Sequence, residues 1–289
     1  MVCHQRKLVV FFVVLRNLKE IFMRHKLIFL LFIVPFLAHA QVSVLSWNIQ
    51  NLGKSKSAAT IEFIASTVKF YDILAIQEVV AGNGGAQAVA RLADALNRKG
   101  AKWDYCISDP TQTTGGTTER YAFLWKPSRV KIIGKAWLEK QYAQQIEREP
   151  YLATFAFQGK QFTLASFHAV PKTKQPEREI KLLAQVTKEY PDLNLIFLGD
   201  FNCPQSNSVF NNFRKMNYQS AFVNQKTSLK RSCKNGNCLA SEYDNIFYAT
   251  RKVKRLKSFV IPFYTHFENL TLAKKISDHI PVVAEFSLN

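Results

Sequence analysis

The sequence lacks the features that divide a chain into separate parts. It has no Gly/Ser-rich or Pro-rich stretch, no run of a single residue and no internal repeat, although its 289 residues include 11 Gly and 10 Pro. These absences exclude a flexible linker and a low-complexity segment. The chain is long enough for one large core or two small ones. Without a linker, we expect a single domain that spans residues 41–289.

Long hydrophobic runs are also missing. The apolar run at residues 27–37 is shorter than the roughly 20 residues of a membrane-spanning helix. Basic residues precede this run at 24–26, and a small-residue cleavage site follows it at Ala40, a pattern typical of a secretory signal peptide. We therefore expect residues 1–40 to be a signal peptide region, with Met23 as an alternative start. The mature chain would be secreted or periplasmic, without stable membrane insertion; a membrane anchor is the alternative interpretation.

Acidic residues are scarce relative to basic ones. The chain has 21 Asp/Glu and 39 Lys/Arg, a net charge of +18. Cleavage would remove six Lys/Arg and one Glu, which leaves 33 − 20 = +13. A basic exported protein is attracted to polyanions, but charge alone does not choose among nucleic acid, anionic lipid and cell-surface polymer.

Only five cysteines are present, and Cys3 belongs to the expected leader. The other four are Cys106, Cys203, Cys233 and Cys238. No His or Cys partners lie at ligand spacing near them, which argues against zinc. An even number in an oxidising compartment permits disulfides. Cys233 could pair with Cys238 around the Asn235-Gly236 turn signal, or Cys203 could pair with either of them.

The hydrophobic pattern predicts many short strands and a few helices. The clearest strands are predicted at 42–47, 73–76, 162–167, 193–198 and 280–286, with further strands near 121–125, 152–157, 245–248 and 253–260. Helices are predicted at 58–70, 86–99 and 177–189, with Gly100 and Pro191 as stop signals. Because the strands and helices do not alternate strictly, the pattern favours an α/β sandwich with a largely antiparallel component.

Polar residues that end the predicted strands carry the chemical signal. Asn48 follows the first strand, Glu78 follows the second, and Asp200 and Asn202 follow a fully apolar one. Taken singly, such residues are more often turn or cap residues than ligands. Together, their carboxylate and amide oxygens would suit Mg²⁺, Mn²⁺ or Ca²⁺.

Two histidines complete this set. His168 follows a predicted strand and His279 precedes one, while Glu119 and Asp244 are acids available to support them. A carboxylate that bonds an imidazole fixes its tautomer and raises its pKa, so one ring could act as general base and the other as general acid. This combination points to metal-assisted hydrolysis.

Eight motifs in order resemble those of the DNase I branch of the endonuclease/exonuclease/phosphatase superfamily. They are SWNIQN (46–51), YDILAIQEV (71–79), TERY (118–121), REP (148–150), FHA (167–169), GDFN (199–202), YD (243–244) and ISDHIPV (276–282). The resemblance spans the chain from about residue 42 to its end. It implies a four-layer α/β/β/α sandwich of two packed β-sheets flanked by helices, with the site at one end.

The resemblance also implies a role for each matched residue. Glu78, assisted by Asn48, Asp200, Asn202 and Asp278, would hold the metal, with Asp200 also counted as catalytic and Asn48 and Asn202 also contacting substrate. His279, supported by Asp244, would be the general base. His168, supported by Glu119, would be the general acid. Arg148 would contact the phosphate. The implied cofactor is Mg²⁺, with Mn²⁺ as an alternative and Ca²⁺ in a structural role.

Three positions depart from the family pattern. Val80 and Thr117 stand where DNase I has an arginine and a tyrosine that enter the DNA minor groove, and Asn245 replaces a basic residue. These changes should weaken duplex binding or alter its preferences without affecting catalysis. The basic run at 251–257 could offset them, or could be a solvated strand face.

The sequence therefore predicts an exported, monomeric, metal-dependent DNA endonuclease that leaves 5′-phosphate ends, with RNA as a further substrate class to test. The alternatives are a phospholipid or phosphoinositide phosphodiesterase or phosphatase, a toxin subunit of the cytolethal distending type, and a non-catalytic binding module. The REP and FHA motifs favour the nuclease. The aromatic cluster of Phe263, Tyr264 and Phe267 is the one candidate for a membrane loop.

Overall fold

A computed structural model describes residues 41–112 and 118–289 of the chain. The expected signal peptide region, 1–40, and Thr117 lie outside the described residues. The described chain from Val42 onward forms one compact unit. None of the helices in this part of the chain has the length and apolar character needed to cross a bilayer.

The described residues form fourteen strands and five α-helices. The strands are β1 (Val42–Leu52), β2 (Ile73–Val80), β3 (Asp104–Ile107), β4 (Glu119–Trp125), β5 (Lys131–Leu138), β6 (Tyr151–Phe157), β7 (Lys160–His168), β8 (Leu195–Asp200), β9 (Tyr218–Ser220), β10 (Leu229–Lys234), β11 (Asn237–Leu239), β12 (Asp244–Ala249), β13 (Val253–Val260) and β14 (Val282–Leu288). The helices are α1 (Ala58–Val68), α2 (Gly85–Asn97), α3 (Glu177–Glu189), α4 (Asn211–Lys215) and α5 (Leu270–Ala273).

Two six-stranded sheets form the framework. The first has the order β13-β14-β1-β2-β4-β3 and the second has the order β5-β6-β7-β8-β12-β9. β10 and β11 form a separate two-stranded hairpin. Both large sheets are mixed, because β1 and β2 are parallel in the first and β7 and β8 are parallel in the second, while their other pairs are antiparallel.

Three apolar clusters separate the layers of the molecule. The first packs α1 and α2 onto the first sheet, with Ile64 and Leu92 in the same cluster as Trp47. The second lies between the sheets, where Phe123 of β4 meets Phe155 of β6. The third packs α3 onto the second sheet. The predicted four-layer sandwich is therefore confirmed. The core strands read as continuous apolar runs because both of their faces are covered.

The two parallel pairs place the strand-end residues at one end of the sandwich. β1, β2, β7 and β8 all finish at this end, and the antiparallel strands β4, β12 and β14 begin there. In both sheets, parallel strands that run in register end at the same edge. This geometry brings side chains that are far apart in sequence into one place.

Most predicted elements correspond to observed ones. The helix predicted at 177–189 matches α3, and the helices predicted at 58–70 and 86–99 correspond to α1 and α2 with shifted ends. The sequence pattern missed β3, β5, β9 and the β10-β11 hairpin. β5 carries Gly134 at a positive φ and is largely exposed, so it has neither a continuous apolar run nor strict alternation.

The hairpin contains the disulfide. Cys233 bonds to Cys238, which is one of the pairings left open by the sequence. Cys106 and Cys203 are free thiols, so the alternative pairings through Cys203 do not form.

Gly199 allows the close approach of β7 and β8 beside the site. Its φ of +137° lies in a region that only glycine adopts readily, and a Cβ at this position would lie 1.9 Å from the carbonyl oxygen of Phe167. The next residue in β8 is Asp200, whose Cα pairs with that of His168 in the ladder. A side chain at 199 would therefore displace both functional residues.

We predict that Gly199→Ala destabilises the protein by about 2 kcal/mol or more, because the clash is with backbone and is added to an unfavourable φ. Urea unfolding monitored by circular dichroism measures the change. Gly134→Ala is the control, since Gly134 also has a positive φ but no atom within 4 Å of the added Cβ. Equal losses in the two variants would contradict the packing argument.

Candidate active site

The Asp200 carboxylate lies at the centre of the site. Its Oδ2 atom is 3.5 Å from Nε2 of His168 and 3.5 Å from Nε2 of His279, and it accepts a hydrogen bond of 3.2 Å from Nδ2 of Asn48. Its Oδ1 atom accepts the backbone N–H of Asn202 at 2.9 Å. Burial raises the pKa of Asp200, but the two histidines and these hydrogen bonds outweigh burial and hold the pKa below its usual value.

His279 is held from behind by a buried chain of hydrogen bonds. Its Nδ1 atom lies 2.7 Å from Oδ2 of Asp244, and the same oxygen accepts a 2.6 Å hydrogen bond from the hydroxyl of Thr227. Burial lowers the pKa of His279, but Asp244 and Asp200 outweigh it, so the pKa lies well above the usual value. The carboxylate therefore fixes the ring so that Nε2 faces Asp200.

His168 has an equivalent support from the other sheet. Its Nδ1 atom lies 3.1 and 3.0 Å from the two carboxylate oxygens of Glu119. Burial lowers the pKa of His168, but the Glu119 and Asp200 carboxylates raise it by more, so the net shift is upward. In both imidazoles, Nδ1 thus contacts a buried carboxylate and Nε2 faces Asp200.

Arg148 is more deeply buried than a side chain whose only role is to contact a phosphate at the surface. Its side chain is 10% exposed, and its guanidinium donates to the carbonyl oxygens of His168 and Ala169 and lies 3.4 Å from Glu119. The contacts hold the His168–Glu119 pair in place. Arg148 also lines an adjoining cavity of about 320 Å³.

Glu78 is a partly exposed carboxylate of the group. Its side chain is 25% exposed, its Oε1 atom accepts from Nδ2 of Asn48 at 2.9 Å, and its Oε2 atom accepts from the backbone of Asn51 at 3.2 Å. Its backbone has a φ of +58°, at the point where the β1-β2 and β2-β4 ladders shift register. Glu78 lines the same cavity as Arg148, together with Val80.

The remaining predicted residues lie at the rim. Asn202 donates through Nδ2 to the carbonyl of Ala169 at 3.0 Å. Asp278 is partly exposed, and its charge raises the pKa of the adjacent His279. Asn245 turns away from the site, because its amide bonds to the backbone of Phe222. The Asn245 side chain is therefore engaged with the backbone of the protein.

Two supporting residues carry no signal in the sequence. Thr227 lies in a loop between strands, and it is fully buried against Asp244. Lys56 follows β1, and its ammonium donates to the carbonyl oxygens of Lys275 and Ile276 at 3.1 and 2.7 Å. Burial lowers the pKa of Lys56 to about 8. This lysine ties the loop before Asp278 to the loop before α1.

The donor atoms fit a hard divalent cation. The buried Oδ1 atom of Asn48 has no hydrogen-bond partner among the described residues, although its Nδ2 atom joins Glu78 to Asp200. A buried oxygen without a partner is costly unless an ion or water satisfies it. Asp200, Asp244 and His279 also bring ligand atoms within 4.8 Å of one another. The carboxylate and amide oxygens of Glu78, Asp200 and Asn48 are the donors that suit Mg²⁺ or Mn²⁺.

A known protein family matches the part of the chain that contains the site. The model of the Endonuclease/Exonuclease/phosphatase family matches residues 45–279, which include every residue of the site. The chain belongs to this family. The resemblance inferred from the motifs is therefore confirmed, and the family's enzymes depend on divalent metals.

Several relatives are similar over most of their length. A protein named deoxyribonuclease from Thioalkalivibrio sp. (strain K90mix) is 30% identical, with 91% of this chain and 75% of the relative covered. Deoxyribonuclease-1 from Bos taurus is 25% identical, with 83% and 90% covered.

Solved structures support the fold. A family protein from Bacteroides thetaiotaomicron has a TM-score of 0.60 at 18% identity, over 85% of this chain and 97% of that one. D. rerio TDP2 complexed with single strand DNA product has a TM-score of 0.61 at 17% identity, over 85% and 98%.

We predict that Glu119→Gln lowers the pKa of His168, because the carboxylate is the main group that raises it, while burial and Arg148 both lower it. An NMR pH titration of the imidazole in the metal-free protein measures the shift. Glu62→Gln is a control, since Glu62 is a partly exposed residue of α1 paired with Arg98 and Lys99. An unchanged His168 titration in Glu119→Gln would contradict the assigned pairing.

Proposed function

We propose that this chain is an exported, divalent-metal-dependent endonuclease that hydrolyses DNA phosphodiester bonds and leaves 5′-phosphate ends. The observation that carries the proposal is the pair of carboxylate-supported imidazoles, His168 and His279, whose Nε2 atoms both lie 3.5 Å from Asp200. Hydrolysis of a phosphodiester needs one group that takes a proton from water and another that gives a proton to the leaving oxygen. Two imidazoles that face each other across a carboxylate can supply both.

His279 is assigned as the general base. Its Nε2 atom takes the proton of the attacking water, and Asp244 stabilises the imidazolium that results through the 2.7 Å bond to Nδ1. Thr227 holds the Asp244 carboxylate in line with the ring. Asp200, on the opposite side of His279, orients the water.

His168 is assigned as the general acid. Its Nδ1 atom is held by Glu119 and its Nε2 atom faces Asp200, from where it would give its proton to the leaving 3′-oxygen. Glu119 and Arg148 fix the ring, because Glu119 bonds Nδ1 and Arg148 bonds the His168 carbonyl.

The metal ligands of the proposal are Glu78 with Asn48, Asp200, Asn202 and Asp278. A bound Mg²⁺ would polarise the scissile phosphate and offset charge in the transition state. Arg148 adds positive charge from the cavity that it shares with Glu78, where a phosphate oxygen can approach. Asn48 and Asn202 offer amide groups to the same phosphate.

DNA is the proposed substrate for two reasons. The relatives with 30% and 25% identity are named deoxyribonucleases, and the exported chain would carry a net charge of 33 − 20 = +13. Export is proposed from the pattern of residues 1–40, and the secreted or periplasmic enzyme would act as a monomer. Val80 and Asn245 leave fewer specific contacts to duplex DNA, so general charge attraction should contribute more to binding.

The structure offers no support for the membrane loop considered as part of a lipid-directed alternative. Phe263 is buried and packs against Trp47 at 5.2 Å, and Phe267 packs against Phe63 at 5.1 Å. Phe263 belongs to the core beside α1, and Tyr264 and Phe267 are half-buried against that core. The cluster is therefore packed onto the protein and does not stand free as a loop.

We predict that His279→Ala lowers plasmid cleavage in Mg²⁺ by about 10²-fold to 10⁴-fold, which is the usual contribution of a general base. Agarose gels of supercoiled plasmid follow the cleavage, and EDTA should abolish it in the wild-type protein. Ligation of the products without kinase treatment tests for 5′-phosphate ends. His266→Ala is the control, because His266 is an exposed histidine outside the site.

Two results would contradict this proposal. One is an intact plasmid with the wild-type protein in Mg²⁺, Mn²⁺ and Ca²⁺, together with hydrolysis of sphingomyelin or a phosphoinositide. The other is a folded His279→Ala variant that cleaves as fast as the His266→Ala control.

A further inference from the structure

A long segment beside the site has no acidic residue. Between Asp200 and Glu242 the sequence contains no Asp or Glu, but it contains six Lys and Arg. Four of these cations belong to the segment 226–240, which we call the basic hairpin. They are Lys226, Lys230, Arg231 and Lys234.

The basic hairpin is a projecting and covalently closed structure. β10 and β11 are antiparallel, and the Cys233–Cys238 disulfide links them. Asn235 and Gly236 both have positive φ, of 50° and 74°, which is the two-residue turn that matches the twist of a hairpin. Residues 231–237 are exposed, whereas Leu229 at the base is buried in the first core cluster. The hairpin thus has an anchored base and a tip in solvent.

The base of the basic hairpin is hydrogen-bonded to the segment that carries Asp278 and His279. The N–H of Leu229 donates to the carbonyl of Asp278 at 2.7 Å, and Ser228 forms a bridge with His279. The N–H of Ile280 donates to the carbonyl of Thr227 at 2.8 Å. Thr227, which supports Asp244, is therefore part of the base of the basic hairpin. These bonds fix the basic hairpin close to His279, the proposed general base.

The four cations have no acidic partner of their own. Within the described part of the chain, the salt bridges of Lys and Arg involve other residues. Like charges on a short segment repel one another, so the arrangement is unfavourable for the isolated fold. An external polyanion would remove this cost.

The dimensions suit a nucleic acid backbone. β11 sets the length of the hairpin, because β10 bulges against it between Leu229 and Lys234. The three residues of β11 extend about 10 Å at roughly 3.3 Å per residue. DNA carries one phosphate per strand for about every 3.4 Å of its axis, so a hairpin of this length can meet about three phosphates. The position beside His279 places those phosphates next to the scissile bond.

We propose that the basic hairpin is a DNA-contact arm that binds backbone phosphates flanking the scissile bond, an inference that rests on the proposed nuclease function. Its cations would attract the phosphates of DNA, whereas the Val80 and Asn245 side chains carry no positive charge. Binding of this kind has no base specificity, because phosphate contacts position the protein without reading sequence.

The test uses the His279→Ala background, so that a fluorescent DNA duplex is bound in Mg²⁺ without being cleaved. Fluorescence anisotropy gives the Kd over a range of salt concentrations for a variant with K226Q, K230Q, R231Q and K234Q. The slope of log affinity against log salt should fall by about 1 for each phosphate that the variant no longer binds. The matched control removes four exposed cations of β5 and α3 through K131Q, K135Q, K181Q and K188Q, and should keep the slope.

A second variant separates charge from folding. K226R, K230R and K234R together keep every positive charge and should bind DNA as the parent does. Equal reductions of affinity in the hairpin and control variants would overturn the proposal, because net charge alone would then explain binding. A hairpin variant that binds phosphatidylserine vesicles more weakly but binds DNA unchanged would also overturn it and would assign the arm to a membrane.

The proposed function and the hairpin can fail separately. If the wild-type protein cleaves no DNA, the nuclease proposal fails, while the binding slopes still decide whether the hairpin contacts DNA. If plasmid is cleaved and the hairpin variant retains its slope, the hairpin inference alone fails.

Discussion

The site depends on one buried carboxylate that two imidazoles share. Asp200 ends β8 of the second sheet, His168 ends the neighbouring β7, and His279 arrives from the first sheet just before β14. The Oδ2 atom of Asp200 faces both rings at 3.5 Å and also accepts from Asn48 of β1. The two sheets must therefore hold a fixed relation at this end. The core between them sets the geometry of the site.

Close opposite charges, acting against burial, decide the electrostatic behaviour of the site. Taken alone, burial would raise the pKa of Asp200 and lower the pKa of each histidine, but the charges are close enough to reverse all three shifts. Each imidazole also has a second carboxylate behind it, so its orientation is fixed before substrate arrives. Buried charges of this kind are costly unless they are paired and hydrogen-bonded. Thr227 and Arg148 supply part of that bonding.

The sequence predicted the residues at the centre of the site better than the residues that hold them in place. Asp200 and Asn48 were recognisable because polar residues directly follow apolar strands, and the resemblance assigned Glu119 to His168 and Asp244 to His279. Thr227 and Lys56 could not be found, since their partners lie 17 and 219 to 220 residues away and no local pattern marks them. Nothing in the sequence indicates that Arg148 is buried against the backbone of His168 and Ala169. For the fold, the apolar core strands were predicted, whereas the exposed strand β5 and the polar hairpin were not, because exposed strands lack a hydrophobic period.

The most direct test of the central claim is anomalous diffraction from crystals soaked in Mn²⁺. We expect a peak at coordination distance, about 2 Å, from a carboxylate oxygen of Glu78, on the side that faces Asp200 and Asn48. A peak confined to other acidic residues of the surface, with none near Glu78, would contradict the claim that the strand-end oxygens form the metal centre.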